Sequence, residues 1–152
     1  YCDNGDCICP EGYTGANCSQ EQTPSSMRIT KIVVTDFPLY DNGYDWDTWS
    51  SYPDIYVDVN LGTSCSGTEL YESGYVDEAY PANWSFTPGS PIVINNPTSP
   101  LNICLFDYDS SSGDDLMGGI YFNPYQAGEG FPSVLTISSS DITYKVHVTY
   151  YW

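Results

Sequence analysis

Two short stretches of the chain concentrate aspartates that could bind a metal ion. The first stretch contains Asp36, Asp41, Asp45, Asp47 and Asp54, and the second contains Asp107, Asp109, Asp114 and Asp115. If the two stretches meet in the folded protein, their charges repel each other unless cations lie between them. Calcium suits such a place because it takes roughly six to eight oxygen ligands. Charge alone leaves open the alternative of two solvated acidic loops that lie far apart.

The overall charge points in the same direction. The chain has 20 acidic residues but only three basic ones, Arg28, Lys31 and Lys145, which gives a net charge of −17. Nucleic-acid binding is excluded because phosphates are neutralised by Lys and Arg, and simple electrostatic docking to anionic lipid is equally poor. Aromatic residues make up 16% of the chain, which argues against a disordered acidic segment. The surplus acid therefore belongs to a solvated surface or to bound cations.

The elements that must position these aspartates are strands. Apolar and polar residues alternate over 55–61, 101–107 and 142–152, a pattern typical of half-buried antiparallel strands, and residues 28–34 form a further apolar strand. Shorter candidates lie at 70–76, 82–86, 92–94 and 119–122. No helix is convincing, so we predict an all-β, eight-stranded antiparallel β-sandwich. The two acidic stretches then fall in loops, one before the 55–61 strand and one after the 101–107 strand.

The second acidic stretch carries a family resemblance. The sequence L-F-D-Y-D-S-S-S-G-D-D-L-M-G over residues 105–118 resembles the third calcium-binding loop of C2 domains. That resemblance places Asp107, Asp109 and Asp115 on ligand positions. It extends over residues 27–152 and implies a calcium-binding β-sandwich of the C2 type. The strand that leads into the first loop comes first, which resembles the circularly permuted (type II) arrangement.

The first acidic stretch resembles the first calcium loop of the same family. The run P-D-I-Y-V-D-V resembles the sequence that closes that loop and implies Asp54 as a ligand. The run F-P-L-Y-D-N-G resembles its start and favours Asp41 as the leading ligand, whereas the distance to Asp54 favours Asp47. Asp45 is a further candidate.

The N-terminal residues resemble a different module. The spacing C-x-C-P-x-G-Y-x-G-x-x-C resembles the C-terminal half of an EGF-like module, and the resemblance implies a disulfide between Cys9 and Cys18. The state of Cys2 and Cys7 stays open, since they could be free, pair with each other, or pair with residues upstream. The expected organisation is an EGF-like fragment at 1–19, a polar linker at 20–26 and the C2-like sandwich at 27–152.

The remaining cysteines and the two modules indicate the compartment in which the protein is found. We predict a disulfide between Cys65 and Cys104, with buried free thiols as the alternative. Six cysteines in so short a chain indicate an oxidising compartment. An EGF-like module beside a C2-like one suggests a larger protein that is secreted or displayed at the cell surface, including by a lipid anchor.

The expected function is binding rather than catalysis. The single histidine, His147, sits in a regularly alternating strand, and no nucleophile motif or phosphate loop stands out. We therefore expect a non-catalytic module with calcium as its cofactor, which binds a membrane surface, a glycan or a protein ligand. Aromatic residues of the first loop, Tyr44, Trp46 and Trp49 among them, could contact that ligand or simply pack the loop. The alternative is a purely structural, calcium-stabilised domain of a cell-surface or adhesin-like protein.

Overall fold

The computed structural model describes residues 2–3, 6–46, 52–80, 82–110 and 113–152, with side chains from residue 8 onward. Nine strands form a sandwich, and this described part of the chain contains no helix, so none that could cross a membrane. In chain order the strands are β1 (Ser26–Asp36), β2 (Ile55–Leu61), β3 (Thr68–Glu72), β4 (Trp84–Phe86), β5 (Ile92–Ile94), β6 (Leu101–Asp107), β7 (Asp115–Phe122), β8 (Val134–Ser138) and β9 (Thr143–Tyr151).

The strands form two antiparallel sheets. One has the order β4-β1-β9-β8, with β5 also paired to β1, and the other has the order β7-β6-β2-β3. Strands β4 and β5 pair with opposite ends of β1. They are separated by residues 87–91, which include Pro88 and Pro91, and proline cannot donate to a strand ladder. Strands β4 and β5 therefore form one interrupted edge of this sheet, with the break at residues 87–91.

The hydrophobic core lies between the two sheets. The inward side chains of the central strands are nearly all completely buried, as the alternating pattern predicts. They include Ile55, Val57 and Val59 of β2, Leu101, Ile103 and Leu105 of β6, and Tyr144 and Val146 of β9. Leu61, which continues the β2 pattern, is instead exposed at the end of its strand. The all-β sandwich predicted from the sequence is confirmed.

The predicted count of eight strands differs from the nine in the described residues. The additional strand is β8, which pairs only with β9 and lies at the edge of its sheet. Its side chains alternate between exposed and half-buried. Its sequence V-L-T-I-S has the residue types and the alternation of a strand, so a signal was present and was missed.

Several two-residue ladders complete the structure. They are Cys2–Asp3 with Asp6–Cys7, Tyr13–Thr14 with Gln20–Glu21, and Tyr40–Asp41 with Tyr44–Asp45. The predicted disulfides Cys9–Cys18 and Cys65–Cys104 are both present. The side chains of Cys2 and Cys7 lie outside the described part of the structure, so their pairing stays open.

The N-terminal segment packs against one end of the sandwich. The Tyr13 ring contacts Phe131 edge-on, and Phe131 contacts Trp152 in the same way. The Trp152 indole N–H donates to the main-chain oxygen of Gln22 at 3.1 Å. A Cβ on Gly12 would come within 2.6 Å of the Phe131 ring, so only glycine allows this close approach. The segment before the predicted sandwich is therefore attached to it through an aromatic cluster.

Candidate metal centre at the loop end of the sandwich

Neighbouring strands bring Asp54 and Asp107 together. Asp54 comes directly before β2, Asp107 ends β6, and the antiparallel register pairs Asp107 with Ile55. The Asp54 N–H donates to Asp107 Oδ1 at 2.7 Å, and the Tyr108 N–H donates to the Asp54 main-chain oxygen at 2.8 Å. The end of the first acidic stretch and the start of the second therefore meet at one end of the sandwich.

Asp107 lies at the centre of this arrangement. Its side chain is completely buried, and its register partner on the other side is Asp115 of β7. Cross-strand partners project to the same face of a sheet, so Asp115 projects on the side of Asp107. Asp115 itself is exposed. The site thus has a buried carboxylate at its base and an exposed one at its rim.

A second segment holds Asp54 from the other side. The Glu78 N–H donates to Asp54 Oδ1 at 2.7 Å. This segment is fixed by two hydrogen bonds between Ile55 and Val76 and by the bond from the Ala79 N–H to the Pro53 oxygen at 2.8 Å. Sequence reasoning missed this contribution, and no motif signals it, because Glu78 acts through its main chain. The carboxylates of Asp54 and Asp107 are thus both oriented by main-chain donors.

Asp114 organises the loop between β6 and β7. Its Oδ1 accepts a hydrogen bond from the Asp109 N–H at 3.1 Å, and its Oδ2 accepts one from the Tyr56 hydroxyl at 2.8 Å. Burial raises the pKa of the Tyr56 phenol well above its ordinary value, and the hydrogen bond to Asp114 adds to the effect. The phenol therefore stays protonated and keeps donating. Asp114, which the sequence leaves as an extra acid, sets the position of Asp109.

The start of the first loop forms a tight hairpin. Asn42 and Gly43 both have positive φ, 50° and 90°, as the central residues of a type I′ turn require. Asp41 closes the turn opposite Tyr44 and is exposed, with its Oδ1 accepting from Asn42 Nδ2 at 2.9 Å. The Asn-Gly dipeptide is the signal that would have predicted this hairpin.

The other residues predicted for the first loop have different surroundings. Tyr44 is 78% exposed. Trp46 is half-buried, and its indole N–H donates to the Pro38 oxygen at 3.0 Å, so this ring packs its own loop. Asp45 is exposed opposite Tyr40. Asp47 and Trp49 lie outside the described residues.

The negative charge of the aspartates at the loop end is not balanced by basic side chains. All three basic residues of the chain lie on β1 and β9, in the other sheet. Arg28 is engaged there with the Tyr151 ring, 4.6 Å from its centroid. Asp54, Asp107, Asp109 and Asp115 offer carboxylate oxygens, which are ligands that calcium prefers. The chemistry of these side chains therefore suits a calcium ion.

Comparison with known proteins identifies the class of fold. No protein-family model and no curated protein matches this chain. Among solved structures, one described as a C2 domain is 17% identical with a TM-score of 0.55, over 84% of this chain and 98% of that one. Another, BON1-C2B, is 13% identical with a TM-score of 0.52, over 84% and 92% of the two chains.

A third similar structure is a much longer protein. It is human GIVD cytosolic phospholipase A2, 16% identical with a TM-score of 0.54, over 83% of this chain but only 16% of that chain. At such identities the similarity shows the fold alone. The chain thus has the C2 fold, as its motifs predicted, while the EGF-like resemblance of residues 1–19 stays a prediction.

Proposed function

We propose that this chain is a non-catalytic, extracellular calcium-binding module that uses the loop end of its sandwich to bind a ligand. The observation that carries the proposal is the meeting of Asp54 and Asp107, joined by a 2.7 Å hydrogen bond from the Asp54 N–H to the Asp107 carboxylate. Asp109 and Asp115 follow in the spacing of the third C2 loop. Asp41 and Asp47 are the alternatives for the leading ligand of the first loop.

Calcium explains why so much negative charge gathers at one end. Carboxylates that share an ion no longer repel each other, and the loops they belong to become linked. An ion that binds only the folded state stabilises it by RT ln(1 + [L]/Kd). The domain is therefore more stable with calcium than without it.

The ligand would be a molecule with anionic or neutral oxygen groups that complete the calcium shell. With a net charge of −17, the chain approaches a membrane or an acidic glycan only through bound cations. Tyr44 and Tyr40, both strongly exposed on the hairpin, offer aromatic surface beside the ions. Such rings are favoured at a membrane interface and also stack on sugars. The second candidate is a purely structural role, in which calcium stiffens the loops and nothing binds them.

Extracellular placement is supported by the disulfides Cys9–Cys18 and Cys65–Cys104, because such bonds persist in oxidising compartments. A surface-displayed or lipid-anchored parent protein fits the same environment. Its test is secretion of the chain from a eukaryotic cell, followed by titration of free thiols. Reactive thiols at these four cysteines in the secreted protein would contradict the proposal.

The test of calcium binding compares the wild type with Asp109→Asn/Asp115→Asn. These residues are chosen because they are not completely buried, so the change removes ligands without opening the core. A matched control is Glu129→Gln/Asp141→Asn, which also removes two charges, at exposed acids outside the two acidic stretches. We expect calcium to raise the melting temperature of the wild type and the control, and to have a much smaller effect on Asp109→Asn/Asp115→Asn. Equal responses of all three proteins would refute the loop site.

The ligand is then sought with calcium and with EDTA. Sedimentation with vesicles of phosphatidylcholine and phosphatidylserine tests the membrane, and a glycan array tests sugars. Retention that needs calcium and is lost in Asp109→Asn/Asp115→Asn supports the binding role. Calcium-dependent stability without retention on either surface supports the structural role.

A further inference from the structure

A β-bulge on the edge strand brings two glutamates to one face. Asp58 of β2 pairs with Glu72, and Asn60 pairs with Glu69, so that Leu70 is the extra residue on β3. In a regular strand, residues three apart project to opposite faces. The extra residue reverses that relation, as bulges do when they re-aim side chains. Glu69, Glu72 and Asp58 therefore share the outer face of the four-stranded sheet.

Asp58 is buried on this outer face. Only 8% of the residue is exposed, and its Oδ1 has no hydrogen-bond partner among the residues that the structure describes. Opposite it on β6 lies Cys104, which is completely buried in its disulfide with Cys65. A buried carboxylate without a partner is costly, so this oxygen needs a ligand.

The three carboxylates are close enough to share one ion. An oxygen from each of Asp58, Glu69 and Glu72 lies within 4.8 Å of the other two. Calcium binds oxygens at about 2.3–2.6 Å, so two ligands on opposite sides of one ion are about 5 Å apart. Both glutamates are exposed, so the ion has a path from solvent and water completes its shell.

We infer that Asp58, Glu69 and Glu72 form a second divalent-cation site, for calcium, on the outer face of the sheet and separate from the loop centre. The site has one buried ligand on β2 and two exposed ligands on β3. A bound ion would tie the edge strand β3 to the sheet.

The surroundings of Asp58 favour a bound cation over a basic side chain of this protein as its partner. Residues 56–75 contain no Lys or Arg, and the three basic residues lie in the other sheet. Burial, then Glu72, Glu69 and Asp114 in that order, raise the pKa of Asp58 to about 6. A dication would neutralise the charges that produce this shift.

The first experiment counts ions on the whole chain by equilibrium dialysis with radioactive calcium. The test variant is Glu69→Gln/Glu72→Gln, since both side chains are exposed and the substitutions keep their size. The control is Glu129→Gln/Asp141→Asn, which removes the same charge at two exposed acids elsewhere. Both pairs are made in the wild type and in the Asp109→Asn/Asp115→Asn background.

We expect the test pair to lose about one calcium ion per chain in both backgrounds, while the control pair loses none. Loss of an ion in the second background shows that it is not a loop ion. An unchanged count in the test variant would overturn the proposal, whatever the loop variant does. Equal loss in test and control would also overturn it, because it would reflect general charge and not a site.

A second measurement uses Asp58, the buried residue of the proposed cation site. In EDTA, Asp58→Asn removes an uncompensated buried charge and raises the melting temperature. With millimolar calcium the wild type gains an ion that the variant lacks, so the difference shrinks or changes sign. The same rise in both solutions would mean that Asp58 binds no cation.

Discussion

Replacement of Asp58 by asparagine should stabilise the calcium-free protein in a pH-dependent way. The pKa of this carboxyl is raised to about 6 from its ordinary value of 3.8, first by burial and then by Glu72 and Glu69. A tenfold change in proton affinity is worth about 1.4 kcal/mol. The difference of about two pH units between the two values thus corresponds to about 3 kcal/mol of unfolding free energy at neutral pH.

The sign follows from proton binding. The unfolded chain releases this proton near pH 4, whereas the folded protein keeps it until about pH 6. Between these values the folded state binds more protons, so the contribution of Asp58 to stability falls as the pH rises. Asparagine carries no such proton. The gain from Asp58→Asn is therefore small near pH 4, roughly half complete near pH 5 and complete near pH 7.

The assay is urea unfolding in EDTA near pH 5 and near pH 7. Both pH values lie above the isoelectric point of the chain, which is about 4.1. At neutral pH we expect the variant to gain about 2 to 3 kcal/mol, which for a chain of this size raises the melting temperature by about 6 to 10 °C. Glu129→Gln, which removes one charge from an exposed site, should stay within about 0.5 kcal/mol of the wild type. A gain that is absent, or equal at the two pH values, would refute the reasoning.

Three further predictions concern contacts that hold the module together. Replacing Cys65 and Cys104 with serine opens a loop with a sequence separation of 39 and should cost about 4 kcal/mol in chemical unfolding; a loss below about 1 kcal/mol would contradict this. Gly119→Ala places a Cβ 2.7 Å from Cys65 Sγ and should cost about 1 to 3 kcal/mol. That cost should shrink when both cysteines are alanine, and an unchanged cost would rule out the clash. Glu21→Gln weakens the bonds that its carboxylate accepts from the N–H groups of Gly128 and Gly130 and should cost about 1 to 2 kcal/mol by thermal unfolding. No change would show that these hydrogen bonds do not stabilise the module.

The sequence predicted the parts of the fold that follow from side-chain alternation. The inward residues of β2, β6 and β9 are buried because a half-buried strand must alternate, and the motif around Asp107 correctly indicated that its loop would meet Asp54. The edge strand β8 was missed although its sequence V-L-T-I-S alternates and contains strand-forming residues. The hairpin at Asn42–Gly43 had a clear signal in its Asn-Gly dipeptide, but the alternation of apolar and polar residues does not reveal such a turn.

Other features of the two sites depend on main-chain geometry, which the types of the side chains do not reveal. The hydrogen bond from Glu78 to Asp54 comes from the main chain, so any residue with an N–H could supply it. The cluster of Asp58, Glu69 and Glu72 depends on a bulge at Leu70 that no glycine marks. From spacing alone, Glu69 and Glu72 would have been placed on opposite faces.

The position of β1 also determines how the module would carry mechanical load. Its first residue, Ser26, pairs with Tyr151 of β9 beside the N-terminal segment, and its last residue leads into the acidic loops. Eleven residues at about 3.3 Å each separate these two points by about 35 Å. A pull between the N-terminal segment and a ligand held at the loops would run along β1 from one end to the other, so the covalent backbone of this strand would carry the load. A pull between the two chain ends would instead load the Ser26–Tyr151 end of the ladder first, so the module should resist force better through its ligand than through its own termini.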